Sequence, residues 1–466
     1  MPVDAQSAPL PDATAPSAAG LALDAPASLL HGEARTLASA LADARQHTLG
    51  LARGLAAGLP PSLEVRYLPE LNPPLWLLAE LAWREEGSIA RNPLRRAGTT
   101  SAEGFGRAPA SWPQYERSFA PKLSHADRWH QPVPGLQGTL AWLQSSRERT
   151  LTLLRTAPTG DTALHVYRDA LWREDALREV LLGVAQTLGI LPGPLAAAPL
   201  PCPATETALE LPVNTHRLGA PATGYAAEGD QPEYEVALRA FSIDRAPVTW
   251  GRYLPFIEAG GYDEPSWWTP EGWAWRRRQS LDRPRHLGRT DEGHWQLAQF
   301  GQWVPLNPGW PAVHLSRHEA LAWCRWAGRR LPSEHEWEAA ARAALTSGQG
   351  FAWGQVREWT ASPHSPAPAP AQDASAAPAA TTPRLSCARG ASHLGAPRLA
   401  TLWRRWAALD ERNDGFVGFR SCAARDTGTP ADETEDLTLS AVAQPEGQAS
   451  PPARKRTNRK RAPDAP

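Results

Sequence analysis

The sequence is poor in cysteine, in lysine and in long apolar runs. Four Cys in 466 residues cannot build a disulfide scaffold and point to a reducing compartment. No stretch of about 18 apolar residues occurs, so no membrane-spanning helix and no membrane partner is expected. The opening MPVDAQSAPLPDATAPSAAG lacks the basic and apolar regions of a secretory signal, and a cytoplasmic protein is expected. Excess charge is missing too: 48 Lys and Arg oppose 49 Asp and Glu, a net charge of −1. That balance argues against a whole-surface polyanion binder but permits a local basic patch. Lysine occurs only at Lys122, Lys455 and Lys460; every other basic residue is Arg. What is abundant is tryptophan, 21 against 7 Tyr, and there are 13 His. With 42% hydrophobic and 21% charged residues the chain suits a globular protein, and its length suits more than one domain.

Residues 1–24 read as a disordered Ala/Pro leader, and residues 25–192 as a helix bundle. LLHGEARTLASALADARQHTLGLARGL, from Leu29, has the 3–4 apolar spacing of one long amphipathic helix. PLWLLAELAWREEGSIA follows Pro73, and TLAWLQSSRERTLTLLRTA forms a third helical run. DTALHVYRDALWREDALREVLLGVAQTLG forms the fourth, with Asp161 expected as its N-cap. A long connection over 92–135 joins the second and third. Residues 193–208 form a Pro-rich linker. From 209 to 426 strands are short and turns frequent, with strands expected in RAFSIDRAPVT and around Trp295 and Trp303. Ser316 with Glu319, and Ser333 with Glu336, fit capping boxes, and Gly328 can close the first of those helices. Residues 364–383 form a low-complexity Pro/Ala loop. The tail, 427–466, carries Arg454, Lys455, Arg456, Arg459, Lys460 and Arg461. That cluster could contact nucleic acid, but a solvated disordered tail is the favoured reading.

The run PAVHLSRHEALAWCRWAGRRLPSEHEWEAAAR, together with FSIDRAPVTWGRYLPFIEAGGY, GQVREWTAS, ARGAS and GFRSC, resembles the sulfatase-modifying-factor domain. AGGYDEPSWWTPEGWAW resembles the two-domain ergothioneine-type synthases of that family, and LNPPLWLLAELAWREEGSIARNP with LSHADRWHQPVPG resembles the selenoneine synthase subgroup. The resemblance implies an α+β chain: an N-terminal DinB-like four-helix bundle, then a Trp-rich mixed domain with little regular structure. It also implies iron-dependent, oxygen-using C–S or C–Se bond formation on trimethylated histidine.

The family holds Fe(II) on three His, one in an LWxLGHxAW-type helix and two spaced H-x-x-x-H in the last bundle helix. Those positions here carry Glu80, Arg173 and Leu177. Leu177 has no donor atom, and the Arg173 guanidinium stays protonated at any working pH. No iron cofactor is therefore expected. His125 and Arg128 in the SHADRW segment, Trp359 in REWT, and Arg404 in the RRW segment are by resemblance substrate-pocket residues. Where the family has Asn and Trp in its GNVWEW-like turn, this chain has Gln355 and Arg357, and Arg405 replaces an Asn. Trp326, Gly328, Arg330, Leu331, Pro332 and Trp337, which build the fold, are kept. His314 and His318 have H-x-x-x-H spacing, but Ser316 as N-cap places His314 outside the helix, so structural roles are expected.

The reading is a diverged paralogue, a non-catalytic binding or regulatory protein. Its partner would be a histidine-betaine-like small molecule or a homologous active enzyme. Two alternatives stand: an active synthase-like oxidoreductase with a rearranged metal site, and a formylglycine-generating-type enzyme using a Cys pair among Cys387 and Cys422.

Overall fold

Gly32 breaks the first helical run that the sequence suggested as continuous. In the computed structural model α1 (Pro26–His31) stops there and α2 (Ala34–Gly58) starts two residues later. A Cβ on Gly32 would lie 2.1 Å from the Ser28 carbonyl oxygen, so only glycine permits this corner. Arg168 donates to the Gly32 carbonyl at 3.2 Å and fixes it against a later helix. The structure describes residues 23–60, 62–100, 106–193, 199–203, 208–227, 229–364 and 384–425. The expected leader, most of the linker, the Pro/Ala loop and the basic tail lie outside the described residues.

Helix α3 (Pro74–Glu85) begins on the Pro73–Pro74 pair, where fixed φ and a missing N–H suit a first turn. The single turn α4 (His125–Arg128) follows within the long connection, then α5 (Leu136–Leu154) and α6 (Asp161–Leu188). The cap of α6 is Gly160 at φ 115°, correcting the assignment to Asp161. Asp161 instead accepts from Arg168 at 2.8 Å and from the Gly224 N–H at 3.3 Å. Gly189, left-handed, ends the helix.

The core between α2, α3, α5 and α6 contains a closed ring of charge, one residue from each helix. Arg45 donates to Glu174 at 2.6 Å and to Glu85 at 2.6 Å. Arg147 donates to Glu85 at 2.7 Å and also to Glu174. The remaining guanidinium N–H groups reach the Leu143 and Leu41 carbonyls. All four side chains are buried. Burial alone would raise the Glu85 carboxyl, but Arg147 and Arg45 outweigh it and hold it down at about 2.

The mixed half contains β1 (Leu209–Leu211), β2 (Asn214–Leu218), β3 (Tyr234–Leu238) and β4 (Phe241–Ile243), then α7 (Trp250–Glu258) and α8 (Pro270–Gln279). The meander β5 (Leu287–Arg289), β6 (Trp295–Gln299), β7 (Gln302–Pro305) matches the strands expected near Trp295 and Trp303. Helices α9 (Arg317–Trp326) and α10 (Glu334–Ser347) flank β8 (Arg329–Arg330). Both capping boxes form, with Ser316 and Glu319, and Ser333 and Glu336, bonded reciprocally. Gly328 at φ 62° follows α9 as expected. The chain closes with β9 (Arg357–Pro363), β10 (Ser386–Arg389), β11 (Arg405–Ala408), β12 (Val417–Phe419) and β13 (Cys422–Ala423). Two four-stranded sheets result, ordered β1-β4-β13-β8 and β11-β10-β9-β12, with β12 parallel to β9.

One apolar cluster joins Leu55, Trp142 and Leu181 of the helical half to Trp250, Trp323 and Trp359 of the mixed half. The described residues up to 425 thus fall within a single compact unit. Polar contacts lock the same seam: Gln186 donates to the Ala298 carbonyl at 2.8 Å and accepts the Phe300 N–H at 2.7 Å.

Candidate functional site between the helical and mixed halves

The seam is densest in arginine and tryptophan where α6 faces β9 and β11. Trp172 and Arg173 project from α6, and Arg404 and Trp406 from the start of β11. The Arg404 guanidinium lies over two indoles, 4.5 Å from the Trp172 ring centroid and 4.4 Å from that of Trp406. Arg357 of β9 also stacks on the Trp406 ring, at 3.3 Å. Arg173 lies 5.9 Å from the Trp172 ring. The order is therefore Arg357, Trp406, Arg404, Trp172, Arg173, an alternation of cation and π face across the seam.

The two outer cations are neutralised locally. Arg357 donates to Glu179 at 2.7 Å, and Arg173 donates to Asp169, one helical turn before it, at 2.7 Å. Asp169 also accepts the Tyr225 hydroxyl at 3.2 Å. Arg404 in the middle is only 5% exposed, and its Nε is buried without a hydrogen-bond partner. Burial lowers its pKa to about 10, partly opposed by the negative charge of Asp230. Arg404, Asp230, Tyr225, Trp172, Thr401 and Trp403 line a narrow cleft of about 10 Å³ at the seam, roughly room for one water. Beside it Arg398 is fully paired, bidentate to Asp175 at 2.7 and 2.8 Å and bonded to Asp24 and Asp43.

The residues singled out from the sequence do not converge on this cleft. Of the four pocket residues, only Arg404 lines it. His125 bonds the Leu71 carbonyl at 2.6 Å, and Arg128 bonds Asn72 at 3.1 Å while lying over the Trp76 ring at 5.1 Å. Both side chains thus anchor the loop that leads into α3. Trp359 is fully buried and donates its indole N–H to the Leu315 carbonyl at 2.8 Å, a core position. Glu80 accepts from Arg84 one turn along α3 at 2.7 Å, and Leu177 is part of the apolar core.

Histidines elsewhere divide as the cap geometry required. His314, at φ 61°, meets the His286 ring at 4.8 Å, whereas His318 lies against Trp275 at 5.5 Å. Burial lowers His286 to about 4 and His314 well below its usual value, so both imidazoles are neutral near pH 7. Among the described residues no set of three His, Cys, Asp or Glu is grouped as metal ligands. All four cysteines are buried free thiols. Burial pushes Cys387 up to about 12 and Cys422 upward as well, away from the thiolate that nucleophilic chemistry uses.

The indole ladder was missed in the sequence. Its signal was present only as Arg404, Arg405 and Trp406 in place of an Arg-Asn-aromatic segment, with nothing to pair that segment to Trp172.

Residues 215–355 match the model of the sulfatase-modifying factor enzyme 1-like domain. Over 333 residues the chain is 30% identical to the hercynine oxygenase of Mycolicibacterium smegmatis, covering 69% of this chain and 73% of that protein. The chain belongs to the sulfatase-modifying-factor family. A formylglycine-generating enzyme of Streptomyces coelicolor is 34% identical over 179 residues, 35% of this chain and 56% of that one. The inactive C-alpha-formylglycine-generating enzyme 2 of Mus musculus is 33% identical over 146 residues, 27% of this chain and 44% of that protein. The likeness to the hercynine oxygenase extends over both halves of the chain, while the family model matches the mixed half alone.

Proposed function

We propose that this member of the sulfatase-modifying-factor family is a non-catalytic binding protein, with a DinB-like bundle as its first half. The observation that carries the reading is the fate of the three positions where iron-holding relatives have His. Glu80 is engaged by Arg84, Arg173 is a permanent cation engaged by Asp169, and Leu177 offers no donor. Such a set does not fit a ferrous ion, which needs several neutral or anionic donors converging on one point. An arginine beside a divalent cation adds repulsion instead. The buried, protonated thiols likewise give no support to a formylglycine-type reaction. What remains at the seam is a water-sized cleft lined by Trp172, Tyr225, Trp403 and the Arg404 cation.

The test is metal analysis of the full chain purified anaerobically with Fe(II). The expected outcome is iron well below one equivalent, unchanged in Glu80→Ala. Stoichiometric iron lost in Glu80→Ala would falsify the reading and favour an active oxygenase with a rearranged site.

A further inference from the structure

We propose that the groove between β2 and α10 receives an extended, acidic segment of a partner protein, which pairs with β2 as an added strand. The groove measures about 370 Å³, within the roughly 300–1,000 Å³ of ligand clefts. None of its lining residues belongs to the helical half, so this site is independent of the reading drawn from the iron positions.

Among the described residues β2 pairs with β3 alone, in register from Asn214↔Leu238 to Leu218↔Tyr234. The Thr215 N–H is taken by the Asn214 side chain at 2.9 Å, so it points away from β3. By the alternation of an antiparallel ladder, Arg217 presents its N–H and C=O on the same outer edge. No backbone group among the described residues pairs with that edge. Such an edge accepts a further strand, and α10 supplies the opposite wall of the slot.

The side chains define what that strand carries. Leu218 of β2 and Ala339 and Ala343 of α10 give the groove an apolar base. The two most exposed large apolar side chains among the described residues are Leu345, at 78%, and Val213, at 74%. They adjoin the lining residues Thr346 and Asn214 in the chain. The lining also has Arg217, Arg342 and His216 but no Asp or Glu. Arg342 shares the Glu338 carboxylate with Arg389 and the Gly219 N–H. Arg217 holds Glu233 at 3.1 Å but is 71% exposed, a pair weakened by water. The His216 Nε2 is buried without a hydrogen-bond partner. The complement is a strand that alternates apolar and acidic side chains. A second copy of the chain fits poorly, because pairing β2 with itself would set Arg217 and Arg342 of one groove against those of the other.

The experiment follows the fluorescence anisotropy of a short fluorescein-labelled peptide of alternating Val and Glu, titrated with the full-length chain. Saturable binding is expected, roughly tenfold or more tighter than that of the Val/Lys counterpart. It should vanish for the N-methylated Val/Glu peptide, which keeps its charge but cannot donate hydrogen bonds to a strand edge. Thr215→Pro should abolish binding, since the ring blocks the outer edge without removing a bond to β3. Arg342→Gln should weaken it severalfold. Absence of saturable binding, equal binding of the Val/Lys or N-methylated peptide, or an affinity unchanged in folded Thr215→Pro would each overturn the proposal. Should Thr215→Pro fail to fold, the N-methylated peptide on the parent chain decides. Sedimentation of the parent chain alone should show no dimer that Thr215→Pro disrupts; such a dimer would assign the edge to a second copy and overturn the partner segment.

Discussion

Two of the arginine clusters among the described residues are built on opposite rules. In the bundle, Arg45 and Arg147 face Glu85 and Glu174 in a ring that has equal numbers of each charge. Spare guanidinium donors end on the Leu143 and Leu41 carbonyls. At the seam, Arg357, Arg404 and Arg173 alternate with Trp406 and Trp172, and the middle cation lacks a carboxylate of its own. A satisfied polar network fixes one arrangement of helices and leaves nothing to offer a ligand. A network with one member unsatisfied costs stability and keeps binding capacity. The difference separates a structural cluster from a candidate functional one more sharply than residue type does, since both are rich in arginine.

The largest expected effect breaks the ring. Glu174→Ala leaves two buried guanidinium groups sharing the single carboxylate of Glu85, and removing one partner of a buried pair costs about 3–5 kcal/mol. Chemical denaturation of the variant should show that loss. A loss under about 1 kcal/mol would mean that the ring is not the bundle's polar anchor.

Acid attacks the same ring by another route. The Glu85 carboxyl is depressed in the folded state from its usual 4.5 to about 2, its arginine partners outweighing burial. The unfolded chain therefore takes up the proton first as pH falls. The stabilisation from Glu85 is fully present above about 4.5 and disappears as pH drops through about 2. Its size is about 3 kcal/mol. Denaturation midpoints measured between pH 5 and pH 2 should fall in the parent, and Glu85→Gln should remove this component of the slope.

The smallest effect is expected at the seam. Arg404→Gln loses two cation–π contacts but relieves an unpartnered buried charge, so stability should change by no more than about 1 kcal/mol. A large destabilisation would place Arg404 with the ring as a structural residue and erase the distinction.

Much of the fold was legible because its signals are local. The capping boxes at Ser316 and Ser333 need only residues three positions apart, and both formed as read. The strands near Trp295 and Trp303, and the closure of α9 before Gly328, are of the same kind. Two local readings were displaced by packing: the first helix broke at Gly32, and the α6 cap passed from Asp161 to Gly160. In each, Arg168 takes a role that no neighbouring sequence position announced. The site was less legible. His125, Arg128, Trp359 and Arg404 were grouped by resemblance, but only Arg404 reaches the cleft, because Trp359 is committed to the core and the other two to the loop before α3.

The sequence by itself determined the broad α+β order, helices first and short strands after, and the family to which the chain belongs. It also carries Glu80, Arg173 and Leu177 at the positions where the resemblance implies the three iron-holding His. Only the tertiary structure decided which charges meet. Arg45 and Glu174 are separated by 129 residues in the chain, and so read as two unrelated surface charges until four helices bring them within 2.6 Å. Trp172 and Trp406 likewise come to share the Arg404 guanidinium only when the fold brings α6 beside it. Local hydrogen-bond rules act over a few residues and can be read along the chain, whereas the neutralisation of a buried charge depends on whatever the packed fold places beside it.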